Sequence, residues 1–168
     1  MESGIDLIIY SVICGCTATL VMDVWAIIQK KVWAVPSLNY CLVGRWFLHV
    51  KNGQVVHMNI TQSKEQHLEC HVGWLSHYLV GVLFAGLYVA ISAVLPVGTS
   101  FIAVVGFGLL TVVFPFFIMQ PSFGFGFFAS KVPNPWVARF RSCVAHLSFG
   151  VGLYVSFQLV SAVKLFNA

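Results

Sequence analysis

Asp23, His77, Met119, Gln120 and His146 are the side chains whose types could do chemistry here. Each lies inside or at the end of a long apolar run, where an ionisable or ligating group is costly and by default marks a functional position. Two imidazoles suit axial ligation of a haem, with Met119 as an alternative ligand. The same imidazoles with the Asp23 carboxylate suit a divalent metal. Without any metal, the trio could relay protons. Either histidine could also act as general base in a lipid-modifying enzyme, although no Ser-His-Asp arrangement can be read from the spacing. The spacing leaves haem, a divalent metal and no cofactor open.

A second set of residues points to anions. Arg45, Arg139 and Arg141 are candidates for holding a lipid headgroup or an anionic substrate. Between residues 120 and 135, Gly124-Phe125-Gly126 permits close backbone approach and Pro133-Asn134-Pro135 stiffens the exit. Non-helical backbone at membrane depth survives only against protein or a water cavity. Gly124 and Gly126 are therefore candidates for a re-entrant lid over the polar cluster, the alternative being a plain cytoplasmic turn. A G-x-G that follows an apolar helix instead of a strand is no dinucleotide fingerprint. His67-Leu68-Glu69-Cys70-His71 has ligand-type side chains but neither a zinc spacing nor the C-x-x-C-H of attached haem.

The elements that must position these groups are membrane helices. Of 168 residues, 59% are hydrophobic and 8% charged, with a mean hydropathy of +0.89. Soluble domains carry roughly a quarter charged residues. The nine Lys and Arg form no dense run, which argues against nucleic acid and leaves the lipid bilayer as the partner. Apolar stretches over residues 5–28, 72–95, 100–120 and 142–163 are each long enough to span a hydrocarbon core of ~30 Å. Pro115 should kink the third. The connection over 29–71 is too long for a bare loop. Pro36-Ser37 reads as a helix start, and Leu38, Leu42, Trp46 and Val50 recur at helical spacing, which predicts an interfacial helix. Asn59-Ile60-Thr61 matches a glycosylation sequon that is meaningless on the cytoplasmic side.

Charge sets orientation. Lys30, Lys31, Arg45, Lys51, Lys64, Lys131, Arg139 and Arg141 lie on one side and only Lys164 on the other, so the positive-inside rule puts both long connections in the cytoplasm and both termini outside. Glu2, Asp6 and Asp23 argue against a cleavable signal. Threaded this way, Asp23, His77, Met119, Gln120 and His146 fall in the same cytoplasmic third. Small or polar stripes accompany them: Cys16, Thr19 and Asp23; His77, Gly81 and Ala85; Gly108, Thr111, Pro115 and Met119; His146, Gly150 and Tyr154. Small residues mark close helix packing in membranes. The five cysteines, odd in number and without C-x-x-C, read as reduced, small apolar residues.

Met22-Asp23-Val24-Trp25-Ala26, Pro36-Ser37-Leu38-Asn39-Tyr40, Val43-Gly44-Arg45-Trp46, Gly73-Trp74 with His77-Tyr78, Met119-Gln120-Pro121 with Gly124-x-Gly126, and Arg139-x-Arg141-Ser142 with His146 occur in this order. On these residues the chain resembles a group of small bacterial multi-pass inner-membrane proteins known only as a domain of unknown function. The resemblance runs from about residue 20 to about 154. It implies an integral membrane protein of bacterial type and carries over no activity, substrate or site; His67 and His71 lie outside its pattern.

The expected fold is all-α: one transmembrane domain over residues 1–168, a four-helix bundle with an interfacial helix in the first cytoplasmic connection. The expected function is a polar, metal- or haem-capable site near the cytoplasmic face. The alternative is a non-enzymatic scaffold or small transporter subunit whose buried His and Asp only lock helices together. A transporter would need a homo-oligomer, because one four-helix chain encloses little pore.

Overall fold

The computed structural model describes residues 4–166. Glu2 and the side chain of Lys164, on which the terminus and charge readings drew, lie outside the described part. The described residues are helical with no strand: α1 (Gly4–Trp33), α2 (Tyr40–Val50), α3 (Glu69–Val94), α4 (Phe101–Leu110), a single turn α5 (Gln120–Ser122) and α6 (Pro135–Phe166). Four helical stretches are long and apolar enough to cross a membrane: Gly4–Trp33, Glu69–Val94, Phe101–Ser122 and Pro135–Ala162.

The third stretch is interrupted as its proline demands. α4 ends at Leu110, and Pro115–Met119 forms a wider π turn before α5. Proline has no N–H to donate back along the helix, so the regular ladder stops there. The fourth helix starts well before residue 142, at Pro135. Proline's fixed φ suits a first helical position, where its missing donor costs nothing. Arg139 and Arg141 therefore sit on α6 and not in a loop.

The chain divides into two compact units, with the divisions falling at His77/Tyr78, Thr111/Val112 and Cys143/Val144. The first comprises the described parts of residues 1–36, 78–111 and 144–168. Its core is Cys14, Ala18, Ala85, Tyr88, Val104, Phe149, Leu153 and Phe157. Glycines set its helix contacts. Gly15 lies on the backbone of Gly81 and Val82, Gly152 on Ala18, and Gly108 on Gly150, so a Cβ at any of them would meet backbone. Large apolar side chains point the other way. On α3, Leu79, Leu83 and Leu87 are exposed at four-residue spacing, while Gly81, Ala85 and Tyr88 are buried. Small residues inward and leucines outward is the pattern lipid selects, because lipid tails solvate leucine as well as a protein core does.

The second unit comprises residues 37–77 and 112–143, with a core of Val43, Trp46, Ile60 and Phe123. α2 begins at Tyr40 and not at Ser37, because the Asn39 side chain accepts from Cys41 N at 3.0 Å and caps it. The sequon Asn59 serves a similar end: its Oδ1 accepts from Thr61 N at 3.0 Å and from the Thr61 hydroxyl at 2.8 Å.

The cysteine reading is corrected here. Cys41 and Cys70 form a disulfide that joins the first turns of α2 and α3, while Cys14, Cys16 and Cys143 are not disulfide-bonded. The cause is again glycine: Gly44 lies on the Glu69 carbonyl and Gly73 on the Tyr40 carbonyl. With no Cβ on either, the two backbones touch, and the Cys41 and Cys70 Cα atoms come within 3.9 Å. Nothing local in the sequence announces a pairing across 29 residues.

Candidate functional site

In the first unit, Asp23 is buried near the last two turns of α1, and its Oδ2 accepts from the Tyr78 hydroxyl on α3 at 3.0 Å. His146 on α6 reaches Thr111 at the end of α4, with Nδ1 to Oγ1 at 2.7 Å. The Thr111 hydroxyl donates its one proton to the Gly108 carbonyl at 2.6 Å. His146 must therefore be the donor in the other contact, with its proton on Nδ1 and Nε2 left as the ring's acceptor in the neutral form. Thr19, one turn before Asp23, donates to Gly15 O at 2.8 Å and packs against Gly81. The stripes of small and polar residues thus face inward, as their spacing suggested: Thr19, Asp23, Gly81, Ala85, Gly108, Thr111 and Gly150 are all buried.

In the second unit, His77 is half-buried and stacked on Tyr40, with ring centroids 4.1 Å apart and planes inclined by 26°. Trp74 closes the group, 4.5 Å from Tyr40 and 6.0 Å from His77. Met119 packs against the Val43–Phe123 core. Gln120 is buried; its Nε2 donates to Ser142 Oγ at 3.4 Å, and its Oε1 has no hydrogen-bond partner. Gly124 lies against the Met58 carbonyl with φ of +84°, a conformation that side-chain-bearing residues rarely adopt. Two backbone bonds hold this segment to the first connection, His57 N to Ser122 O at 2.8 Å and Ile60 N to Phe123 O at 3.0 Å. Gly124 and Gly126 belong to this packed junction.

The arginines are engaged. Arg45 is buried on α2 and makes a two-pronged pair with Glu69, Nε to Oε2 at 2.9 Å and Nη2 to Oε1 at 2.7 Å. Its Nη1 donates to the Ser63 carbonyl at 3.0 Å, and Glu65 stands 3.3 Å from Nη2. The bond to Glu69 raises the Arg45 pKa further above its ordinary value, so this guanidinium keeps its charge. The Arg139 Nε donates to Phe128 O at 2.8 Å, and its guanidinium lies 4.6 Å over the Trp136 ring. Arg141 is exposed.

Sequence reasoning missed the polar interior of this second unit. Arg45 and His49, both polar residues of α2, are buried. His49 bonds Gln54 Oε1 at 3.1 Å and Lys64 O at 3.0 Å. His57 is 3% exposed, its ring 5.0 Å from that of His49 and edge-on to it. Neither His57 ring nitrogen is in a well-formed hydrogen bond. Burial first, then the nearby His49, push its pKa below the ordinary imidazole value, against a smaller pull from the Ser122 backbone. His67 and His71 are exposed. Among the described residues, no group of three or more His, Cys, Asp and Glu is arranged to hold a metal ion.

No curated protein and no solved structure matches the chain. Residues 12–160 match the family described as "Protein of unknown function (DUF2938)". With most of its length inside that match, including Asp23, His77 and His146 and every membrane-length helix in whole or large part, the chain belongs to the DUF2938 family of proteins of unknown function.

Proposed function

We propose that this is a non-enzymatic multi-pass membrane protein whose buried Asp23 and half-buried His146 lock helices together. The observation that carries the reading is that each group closes on a hydroxyl of a different helix, Asp23 on Tyr78 and His146 on Thr111. An interhelical hydrogen bond in a membrane contributes on the order of 1 kcal/mol, which suits a lock and leaves a carboxylate satisfied at a depth where it is otherwise costly. The test is a double-mutant cycle over Asp23→Asn and Tyr78→Phe, and a second over His146→Leu and Thr111→Val, read as thermal unfolding in detergent. Each single change should lower stability by about 1 kcal/mol, with the second change of each pair adding little. Elemental analysis of the wild type beside a His77→Ala/His146→Ala variant supplies the opposing outcome. Near-stoichiometric metal, lost in a still-folded variant, would overturn the lock reading and restore the metal or haem site.

We further propose that the protein resides in a bacterial inner membrane with both termini outside the cytoplasm. The eight Lys and Arg on the side of the long connections support this, against one on the other side. The Cys41–Cys70 disulfide then lies on the reducing side of the membrane, where such bonds are usually made and broken reversibly. A fusion of alkaline phosphatase to the C-terminus should be active, and one of green fluorescent protein dark. The reverse pattern would invert the orientation and place the disulfide in an oxidising compartment.

A further inference from the structure

Charge is divided unevenly between the two units. Residues 37–77 and 112–143 hold six Lys and Arg against two Glu, so the second unit carries the whole formal net charge of +4. Both carboxylates, Glu65 and Glu69, stand against Arg45. From residue 70 onward the sequence has no Asp or Glu. Lys131, Arg139 and Arg141 therefore have no carboxylate on their own stretch of chain to answer them.

Arg139 is the best placed of the three. Two successive residues in left-handed backbone, Phe128 (φ +52°) and Ala129 (φ +53°), turn the chain ahead of α6, and the Phe128 carbonyl accepts from the Arg139 Nε at 2.8 Å. The guanidinium also lies 4.6 Å over the Trp136 ring, and Trp136 is 78% exposed, so the stack is at the surface. A guanidinium has five N–H donors in one plane. The Nε bond uses one of them, and together with the stack it fixes that plane. The four N–H groups on Nη1 and Nη2 make no hydrogen bond among the described residues. Beside them the surface is aromatic. Phe128 packs on Phe117 and Phe116 with ring centroids 4.7 and 5.0 Å apart, and Phe127 meets Phe117 at 6.2 Å. Val113 and Phe117 are exposed side chains of the third membrane-length stretch, so these rings continue a face that acyl chains cover in a bilayer.

We propose that Arg139 binds the phosphate of an anionic phospholipid, its Nη groups donating to two phosphate oxygens while an acyl chain lies along Phe117, Phe127 and Phe128. The planar fork matches two oxygens of one phosphate, which a lysine ammonium does not. The surplus positive charge of the unit selects a lipid of net negative charge over a zwitterionic one. An exposed tryptophan beside the guanidinium suits the headgroup level, where such rings collect. The site is the same whichever side of the membrane the loop occupies.

Native mass spectrometry of the detergent-purified protein, titrated with dioleoylphosphatidylglycerol or dioleoylphosphatidylcholine, measures the binding. Saturable one-to-one binding of phosphatidylglycerol is expected, about tenfold tighter than that of phosphatidylcholine. Arg139→Gln should weaken it about tenfold, the loss expected for charge-assisted hydrogen bonds, and Arg139→Lys should recover only a small part. Trp136→Ala should weaken it about threefold by freeing the guanidinium plane. That side chain is exposed and supports no core, so this variant keeps the test decisive should loss of the Arg139–Phe128 bond disturb the fold. Lys51→Gln removes the same charge from the same unit and should leave binding unchanged. Equal affinity for the two lipids, full binding by Arg139→Lys, no effect of Trp136→Ala, or equal losses from Arg139→Gln and Lys51→Gln would each overturn the proposal. It rests on the membrane reading, whose own failure would show earlier as a protein recovered in water without detergent, and not on the Asp23 and His146 locks.

Discussion

Replacing Arg45 by methionine should lower stability by about 3 kcal/mol, among the largest effects of any single change in this chain. The Arg45 and Glu69 side chains are 7% and 11% exposed. Without Arg45, Glu69 keeps its burial and loses both prongs of its pair, retaining only the bond from Gln66 N at 2.9 Å. The Ser63 carbonyl loses its Arg45 donor as well, whereas the Ile60 carbonyl keeps the Ser63 N–H at 3.2 Å. Burial close to the solvent-facing connection keeps the loss at the lower end of the usual range of roughly 3–5 kcal/mol for a broken buried pair. The double variant Arg45→Met/Glu69→Leu should recover more than half of it, because two apolar side chains leave no orphaned charge. Denaturation by SDS titration in mixed micelles measures the cycle. Additive losses, each under about 1 kcal/mol, would show that the pair is solvated and unimportant.

That pair shows why the architecture was legible in the sequence and the wiring was not. Membrane helices declare themselves by local composition, so the four stretches, the break at Pro115 and a helix containing Leu42, Trp46 and Val50 could all be read directly. The inward stripes were legible for the same reason: Gly81, Ala85, Gly108 and Gly150 recur at helical spacing, and each is buried. Partners are a different matter. Arg45 and Glu69 are 24 residues apart, Cys41 and Cys70 are 29 apart, and no periodicity connects them. Positive charge was read as a sign of anion binding or cytoplasmic placement, while Arg45 is occupied inside the protein and Arg139 is bonded to the Phe128 carbonyl at its surface. The start of α6 was missed because Arg139 and Arg141 made its first turns look like loop, although Pro135 was a usable signal. For the candidate site, residue choice was legible but not chemistry. Asp23 and His146 hold positions that a catalytic group or a structural lock would occupy equally, and only the hydroxyls opposite them, Tyr78 and Thr111, favour the lock.

Replacing Gly150 by valine should cost about 3 kcal/mol, the upper part of the usual range for overpacking, because here the obstruction is backbone and cannot rotate away. A Cβ on Gly150 would stand 2.8 Å from the Val105 carbonyl oxygen and 3.0 Å from its Cα, with Gly108 at 3.1 Å. α4 and α6 would have to separate. The Thr111–His146 hydrogen bond joins the same two helices one turn along, at 2.7 Å, and even a slight separation would weaken it. The coupling between Thr111→Val and His146→Leu should therefore shrink toward zero in the Gly150→Val background. Gly106 is the internal control. It lies on the same helix as Gly108 but is exposed, and a Cβ there would have nothing within 4 Å. Gly106→Ala should therefore be neutral or stabilise by up to about 1 kcal/mol through helix propensity alone. Thermal unfolding of the two variants side by side separates contact from propensity. Equal behaviour would mean that α4 and α6 do not rely on close approach, and that the Thr111–His146 bond is incidental to how they pack.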